Sequence, residues 1–359
     1  MQLIVLGLNH KTAPVEIRER FNFSQDRTVR VLRRLRNNDN LNEAVLLSTC
    51  NRTELYMVLE DPAAGLHFIR TLLRHLAGEQ YKPDYFYNLT GINCVRHLFK
   101  VASSLDSLII GEGQILSQIK NAYHLSRSCG MTDTLFNTLF NRAIAVGKRV
   151  RTETKIAYSS VSVSSAAVDL AIDVVGDLTK ANILVLGAGR MSELTARHLI
   201  DKGAKTIFVS NRNLSHAQEL AEKFNGTAIP YNEFMHQAIT SDIIITSTGA
   251  PHYVITEQGV RDIIPKRSGK PLILVDIAVP RDVDPLVGDI EGVTLYNIDD
   301  LEGVVDMNKN FRSSEAKVAE AIIDEEITAL KERLRYELDT IRNMGYVDYF
   351  LIVCCLLYT

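Results

Sequence analysis

Tryptophan is absent from the 359 residues, and the five cysteines are scattered. Such spacing makes neither a disulfide framework nor a zinc pattern, which excludes a small cross-linked scaffold and a finger-type metal domain. No apolar run reaches bilayer length, so a membrane-spanning helix is not expected. The first nine residues are apolar but lack a basic lead and a small-residue cleavage end; they read as a β-strand, not a secretory signal. Low-complexity tracts and internal repeats are also missing. What is present is an ordinary soluble composition, 46% hydrophobic and 23% charged, enough for two or three domains with sizeable cores. A reducing cytoplasm is the expected location.

Charge is unevenly spread. Residues 1–160 hold 21 Lys+Arg against 14 Asp+Glu, a balance of +7, and the remaining residues therefore hold 19 against 29, or −10. A basic front half is compatible with nucleic-acid contact, and a solvated surface explains the excess about as well.

The expected organisation is multidomain, α+β followed by α/β. Strand patterns at 2–9, 44–48 and 53–59 precede helical ones at 24–36, 63–77, 93–105, 113–128 and 132–153. Strands early and helices late predict helices packed on a small antiparallel sheet, a first domain over 1–156. The serine-rich stretch from Ser159 to Ser165 marks a boundary. Between 157 and 300 strands alternate with helices, as in a doubly wound parallel sheet. From 301 to 359 the apolar residues take helical spacing amid dense charge, a spine or oligomerisation helix, before an apolar tail over 346–359 with Cys354 and Cys355, which reads as incidental.

Two stretches carry chemistry. Ser48-Thr49-Cys50-Asn51-Arg52-Thr53-Glu54 is polar between two β-rich apolar runs, which puts a thiol at the tip of a strand–loop–strand unit. A guanidinium such as that of Arg52 favours the reactive thiolate, whereas the plainer alternative is a small buried cysteine. Gly187-Ala188-Gly189-Arg190-Met191-Ser192 follows a strand and opens a helix. The first glycine permits the turn, the second lets backbone approach a pyrophosphate at the helix N-terminus, and Ser192 takes the third, small position of this Rossmann-like loop. At the end of the next strand, Ser210-Asn211-Arg212 has no acid to hold a ribose 2′-hydroxyl but one arginine to pair with a 2′-phosphate. This favours NADPH over NADH, unless Arg212 is an ordinary surface residue.

With these pieces in order, the chain resembles glutamyl-tRNA reductases. The resemblance rests on Gly7-Leu8-Asn9-His10-Lys11-Thr12-Ala13-Pro14, the Cys50 loop, Val101-Ala102-Ser103-Ser104-Leu105-Asp106-Ser107 and Gly111-Glu112-Gly113-Gln114-Ile115-Leu116. It continues through the glycine loop, Ser210–Arg212 and Asp276-Ile277-Ala278-Val279-Pro280-Arg281-Asp282, covering about residues 1–310. It implies that Cys50 attacks the ester joining glutamate to its tRNA, and that hydride from NADPH reduces the resulting thioester to glutamate-1-semialdehyde, the first step of tetrapyrrole synthesis. A thiolate nucleophile splits one hard step into two easier ones. By the same resemblance Thr49, Asn51, Arg52, Ser107, Glu112, Gly113, Gln114 and Gln118 contact the substrate, with Arg52 holding its side-chain carboxylate and Glu112 its ammonium. His97, which local pattern alone would assign to packing, becomes a general acid/base or an orienter of the ester; His10 reads as structural. Glutamyl-tRNA, a semialdehyde-consuming aminomutase and a second copy of the chain are the implied partners.

The chain departs from the family pattern at Gly113 (usually proline), Ser117 and Ser192 (usually glycine), and in its tail, which stands where a helical dimerisation region usually follows. Gly113 is expected to loosen the loop carrying Glu112 and Gln114, and the tail puts dimerisation in question. Two other readings compete: a protein of this ancestry that binds glutamyl-tRNA without turnover, and a shikimate-dehydrogenase-like oxidoreductase, which would leave the Cys50 loop without a task.

Overall fold

The computed structural model describes residues 1–77, 82–107, 111, 113–154, 156, 163–301 and 309–343. The chain divides into two compact units, residues 1–160 with 308–359, and 161–307. The long helix of the C-terminal segment therefore belongs with the first unit.

That unit is built on four antiparallel strands in the order β2-β3-β1-β4: β1 (Gln2–Asn9), β2 (Leu41–Ser48), β3 (Arg52–Leu59) and β4 (Tyr87–Thr90). Its helices are α1 (Val15–Arg18), α2 (Gln25–Leu35), α3 (Pro62–Ala77), α4 (Gly91–Ala102), α5 (Gln114–Ser128) and α6 (Thr134–Glu153). All eight residues of β3 are buried. Successive side chains of a strand point to opposite faces, so Tyr56 and Val58 enter one core while Leu55, Met57 and Leu59 enter another. The first core is closed by α4, α5 and α6 through Leu98, Phe99, Ile119, Phe136 and Phe140. The second is closed by Phe21, Leu32 and Leu35 with Ile69 and Leu72 of α3. The sheet is thus sandwiched between helical layers.

Strand β4, four residues on the sheet edge, escapes the periodicity because so short a run carries no pattern. The N-terminus of α6 gets no cap from its own Asp133 side chain. Instead, buried Glu43 of β2 accepts the backbone N–H groups of Asp133 (2.6 Å) and Phe136 (2.9 Å).

The second unit begins with α7 (Val163–Val175), followed by β5 (Asn182–Leu186), α8 (Arg190–Asp201), β6 (Thr206–Ser210), α9 (Leu214–Lys223) and β7 (Thr227–Ile229). Next come α10 (Phe234–Ala238), β8 (Ile243–Thr246), α11 (Glu257–Ile263), β9 (Leu272–Asp276) and β10 (Val293–Asn297). The six strands are parallel, in the order β10-β9-β8-β5-β6-β7. The order reverses between β5 and β8, the switch point at which doubly wound sheets hold their ligands.

Helix α12 (Lys309–Asn343) returns to the first unit. Ala319, Ile322, Ile323 and Ile327 enter the core shared with α4 and α6. Its acids meet basic residues there: Asp324 pairs with Arg96, Glu320 with Lys100, Glu326 with Arg142, and Glu325 and Glu326 with Arg149. Among the described residues no helix is long and apolar enough to cross a membrane. The apolar tail lies outside them.

Removing the Glu43 carboxylate leaves two amides unsatisfied at the start of α6. Glu43→Ala is expected to cost about 1–3 kcal/mol, read as a lower urea midpoint at unchanged m-value.

Candidate functional site

Strands β2 and β3 pair from Leu41↔Leu59 to Ser48↔Thr53, leaving Thr49, Cys50 and Asn51 at the connection. The strand–loop–strand expectation therefore holds, and the half-exposed Cys50 sits at the tip. The loop is fixed from within and from below. Thr49 N–H donates to Arg52 O (2.8 Å), and Thr49 Oγ1 accepts from the backbone N–H groups of Asn51 and Arg52. Buried Arg18 donates through Nη1 to Cys50 O (2.9 Å) and Asn51 Oδ1 (3.0 Å), and through Nε to Ala13 O. The side chains of Thr49 and Asn51 thus serve the loop's own geometry. Arg18, which sequence reading missed, is the guanidinium that braces it.

Arg52 faces elsewhere. Arg52, Glu54 and Tyr56 stand at i, i+2 and i+4 of β3, on one face. The fully buried Glu54 carboxylate gathers Arg52 Nη1, Tyr56 Oη (2.5 Å), Tyr87 Oη of β4 (2.5 Å) and His97 Nε2 of α4 (2.9 Å). Arg52 Nη2 turns to Asp106, donating to its carbonyl and its carboxylate (3.1 Å), and Lys11 Nζ reaches the same carboxylate at 2.5 Å. Gly7 makes the room: it lies opposite Glu54 and Tyr87 in the ladder, and a Cβ there would come within 2.8 Å of Glu54 Cγ.

Burial alone would raise the Glu54 pKa, but the charge of Arg52 and the contacts with His97 and Tyr56 outweigh it and hold the carboxyl well below its usual range. Burial opposes the charge on Arg52 as well, and Glu54 overcomes it. Burial, with the charges of Arg52 and Lys11, pushes the nearby His10 down to about 4, so it is neutral at pH 7.

The structure thus brings Arg52, His97 and the Asp106–Ser107 turn together around Glu54, a residue quoted within the motif but given no role from sequence. A carboxylate's partners across a sheet and onto a helix are long-range facts that no local pattern carries. The expectation that Arg52 activates Cys50 meets a physical obstacle: Glu54 and Asp106 neutralise that guanidinium. Ser107 is half-buried, as are Gln114 and Gln118, which lie one turn apart on α5. Glu112 lies outside the described residues. The Gly113 carbonyl accepts from Arg151 Nη1 (3.1 Å), and a Cβ there would meet that guanidinium at 2.9 Å.

In the second unit, Gly187 ends β5 at φ +108°, and a Cβ would press to 2.7 Å of Ser247 O; only glycine fits both demands. Gly189 caps α8 without a side-chain bond and with open space where a Cβ would be. Ala188 and Arg190 flank it, the latter exposed, and Met191 O accepts from Ser164 Oγ (3.2 Å). Ser192, fully buried, is accommodated by a 2.7 Å hydrogen bond with Ser247 Oγ after β8. Ser210 O accepts from Gly187 N–H, Asn211 Nδ2 donates to Asn213 O, and exposed Arg212 donates to His252 Nε2 (2.9 Å). The loops after β5, β6 and β8 therefore meet at the switch point.

Below them, Asp276 accepts from Thr246 Oγ1 (2.8 Å) and from the N–H groups of Ala278, Asp282 and Val283, and Asp282 accepts from Thr248 N–H (2.7 Å). Burial, aided by the charge of Asp282, lifts Asp276 to about 7 against these hydrogen bonds.

A bare helix start, an obligatory glycine turn and a strand-order reversal define a doubly wound dinucleotide-binding domain, joined here to an α+β unit that presents a thiol. Comparison with known proteins makes this specific. Residues 6–154 match the family described as glutamyl-tRNAGlu reductase, N-terminal domain, and 169–304 that described as shikimate / quinate 5-dehydrogenase. A glutamyl-tRNA reductase of Trichlorobacter lovleyi is 47% identical over 330 residues, 91% of this chain and 76% of that one; one from Brevibacillus brevis is 45% identical over 92% and 73%. The solved glutamyl-tRNA reductase of Methanopyrus kandleri is 36% identical, covering 94% of this chain and 82% of that one, with a TM-score of 0.49. The chain belongs to the glutamyl-tRNA reductase family.

Because the Glu54 pKa is depressed on folding, its contribution to stability is complete above the ordinary carboxyl value of 4.5 and is lost as pH falls below it. The urea midpoint of the wild type should drop through that acid window. Glu54→Gln should start lower at pH 7 and show a shallower acid loss.

Proposed function

We propose that this enzyme reduces glutamyl-tRNA to glutamate-1-semialdehyde through a thioester on Cys50, using NADPH, as the first step of tetrapyrrole synthesis. The observation that carries the reading is the half-exposed Cys50 at the β2–β3 tip, its backbone carbonyl braced by buried Arg18, in a loop that leads straight into the strand carrying the buried Arg52–Glu54 pair. The thiolate sulfur bonds to the ester carbonyl carbon, and the carbon–oxygen bond to the tRNA ribose breaks, the released oxygen taking up a proton. When bound, the nicotinamide supplies the hydride that turns the thioester carbonyl into an aldehyde and returns the thiolate.

His97 is held by Glu54 through Nε2, which fixes its ring and leaves Nδ1 for proton traffic at the ester. Arg52 receives the substrate carboxylate in exchange for the partly exposed Asp106, since a guanidinium can serve two carboxylates in its plane. Ser107, Glu112, Gln114 and Gln118 complete the substrate contacts. Thr49, Asn51 and Gly113 join them in contacting the substrate, besides holding their own loops in place. Gly187, Gly189 and the first turn of α8, from Arg190 through Met191 to Ser192, hold the cofactor pyrophosphate; Ser210, Asn211 and Arg212 hold the adenosine ribose and its 2′-phosphate. An aminomutase that takes up the reactive aldehyde completes the picture.

The test is radiolabelled glutamyl-tRNA with and without NADPH, beside Cys50→Ser. Wild type should form semialdehyde only with NADPH, and the variant none. Glutamate release without semialdehyde would show a working thiol and a failed hydride step; an untouched ester would favour the binding-protein reading. For the cofactor, Arg212→Gln should raise the KM for NADPH about tenfold or more while leaving that for NADH unchanged. Equal effects on both would remove Arg212 from 2′-phosphate recognition.

A further inference from the structure

We propose that the outer face of α2 is the docking surface for the phosphate backbone of the tRNA acceptor arm, a placement that rests on the substrate reading above. Six arginines lie between residues 20 and 36, against one acid, Asp26, and no lysine. Thr28, Leu32 and Leu35 are buried beneath the helix, whereas Arg30, Arg33, Arg34 and Arg36 are exposed. Residues 30, 33 and 34 stand at i, i+3 and i+4, so their guanidinium groups share one side of the helix.

Among the described residues none of these four has an ion pair, while Arg96, Arg142, Arg149, Arg261 and Arg333 each meet a carboxylate. Exposed Arg190 and Arg335 also lack an ion pair among the described residues, so it is clustering on one helix, added to the lack of internal counter-charge, that marks this row. Like charges at this spacing repel and weaken a helix, and a row of them is relieved by counter-charges from outside. Guanidinium groups suit phosphate oxygens, which they bind in a planar fork. Exposed Arg127, near the end of α5, adds to the same sign.

Position ties the row to the thiol. Phe23 N–H, just ahead of the helix, donates to Ser48 Oγ (2.9 Å) at the end of the strand that enters the Cys50 loop. From there α2, capped by Ser24, runs about 16 Å away from the loop. A tRNA whose 3′ end reaches Cys50 would lay its acceptor backbone along this line. An anionic membrane is the weaker occupant, because Leu32 and Leu35 are fully buried and α2 offers no apolar face to insert.

The test is the triple variant R30Q/R33Q/R34Q, at positions whose exposure predicts an unchanged thermal midpoint. Its affinity for unacylated tRNA transcript is measured against salt, together with turnover of glutamyl-tRNA by the variant and by the wild type. The log–log salt slope should fall by about two to three and low-salt affinity by about tenfold or more, with kcat unchanged. Identical slopes, or a loss confined to phosphatidylserine vesicles, would overturn the surface while turnover by the wild type kept the reductase reading intact. A wild type that binds tRNA through these arginines yet leaves its ester intact would uphold the surface and sink the reading. Absence of any tRNA binding would remove both.

Discussion

The buried pairing of Glu54 with Arg52 is the constraint around which the first unit is arranged. A carboxylate with no solvent exposure is tolerable only if its charge and lone pairs are met. Here one guanidinium, two phenols and an imidazole meet them, contributed by β3, β4 and α4. Those same contacts bring Asp106 and His97 within one network. What looks like an electrostatic cost is therefore also the device that gives His97 a defined ring orientation and Arg52 a defined direction. The requirement reaches back to β1, where Gly7 must lack a side chain for the carboxylate to fit.

Much of this molecule was legible in the sequence, and the boundary of legibility has a physical basis. Short β-rich apolar runs disclosed β1 and the β2–β3 hairpin, and the spacing of Gly187 and Gly189 disclosed the turn into α8. Short edge strands such as β4 and β7 were not legible, since three or four residues pair only because a neighbour presents its ladder. At the site, residue identity was readable but partnership was not. Arg52 stands two residues from Cys50, yet its guanidinium follows the alternation of β3 toward Glu54. Arg18 lies 32 residues from Cys50 and supports it from beneath. Gly113 shows the reverse case: a flexible residue type held in place by Arg151, which sequence cannot reveal.

The second unit meets a similar demand by other means. Its switch-point loops are positioned by backbone and small hydroxyls, with Ser192 and Ser247 linked across the switch point. Two buried aspartates, Asp276 and Asp282, gather the amide groups of the turn after β9 and the residues after β8. Burial, with the charge of Asp282 beside it, raises the Asp276 pKa. The two units thus illustrate both answers to a buried carboxylate: neutralise it with an opposite charge, or let it approach the neutral form.

The complete burial of β3 has an evolutionary corollary. A strand covered on both faces leaves little room for a side chain to change: seven of its eight residues fill one of two packed cores or the polar network, and Thr53 donates from Oγ1 to Phe21 O. Sequence novelty in this unit must instead accumulate on the outward faces of the helical layers. The outward helix faces can therefore change while the packed strand beneath them stays fixed.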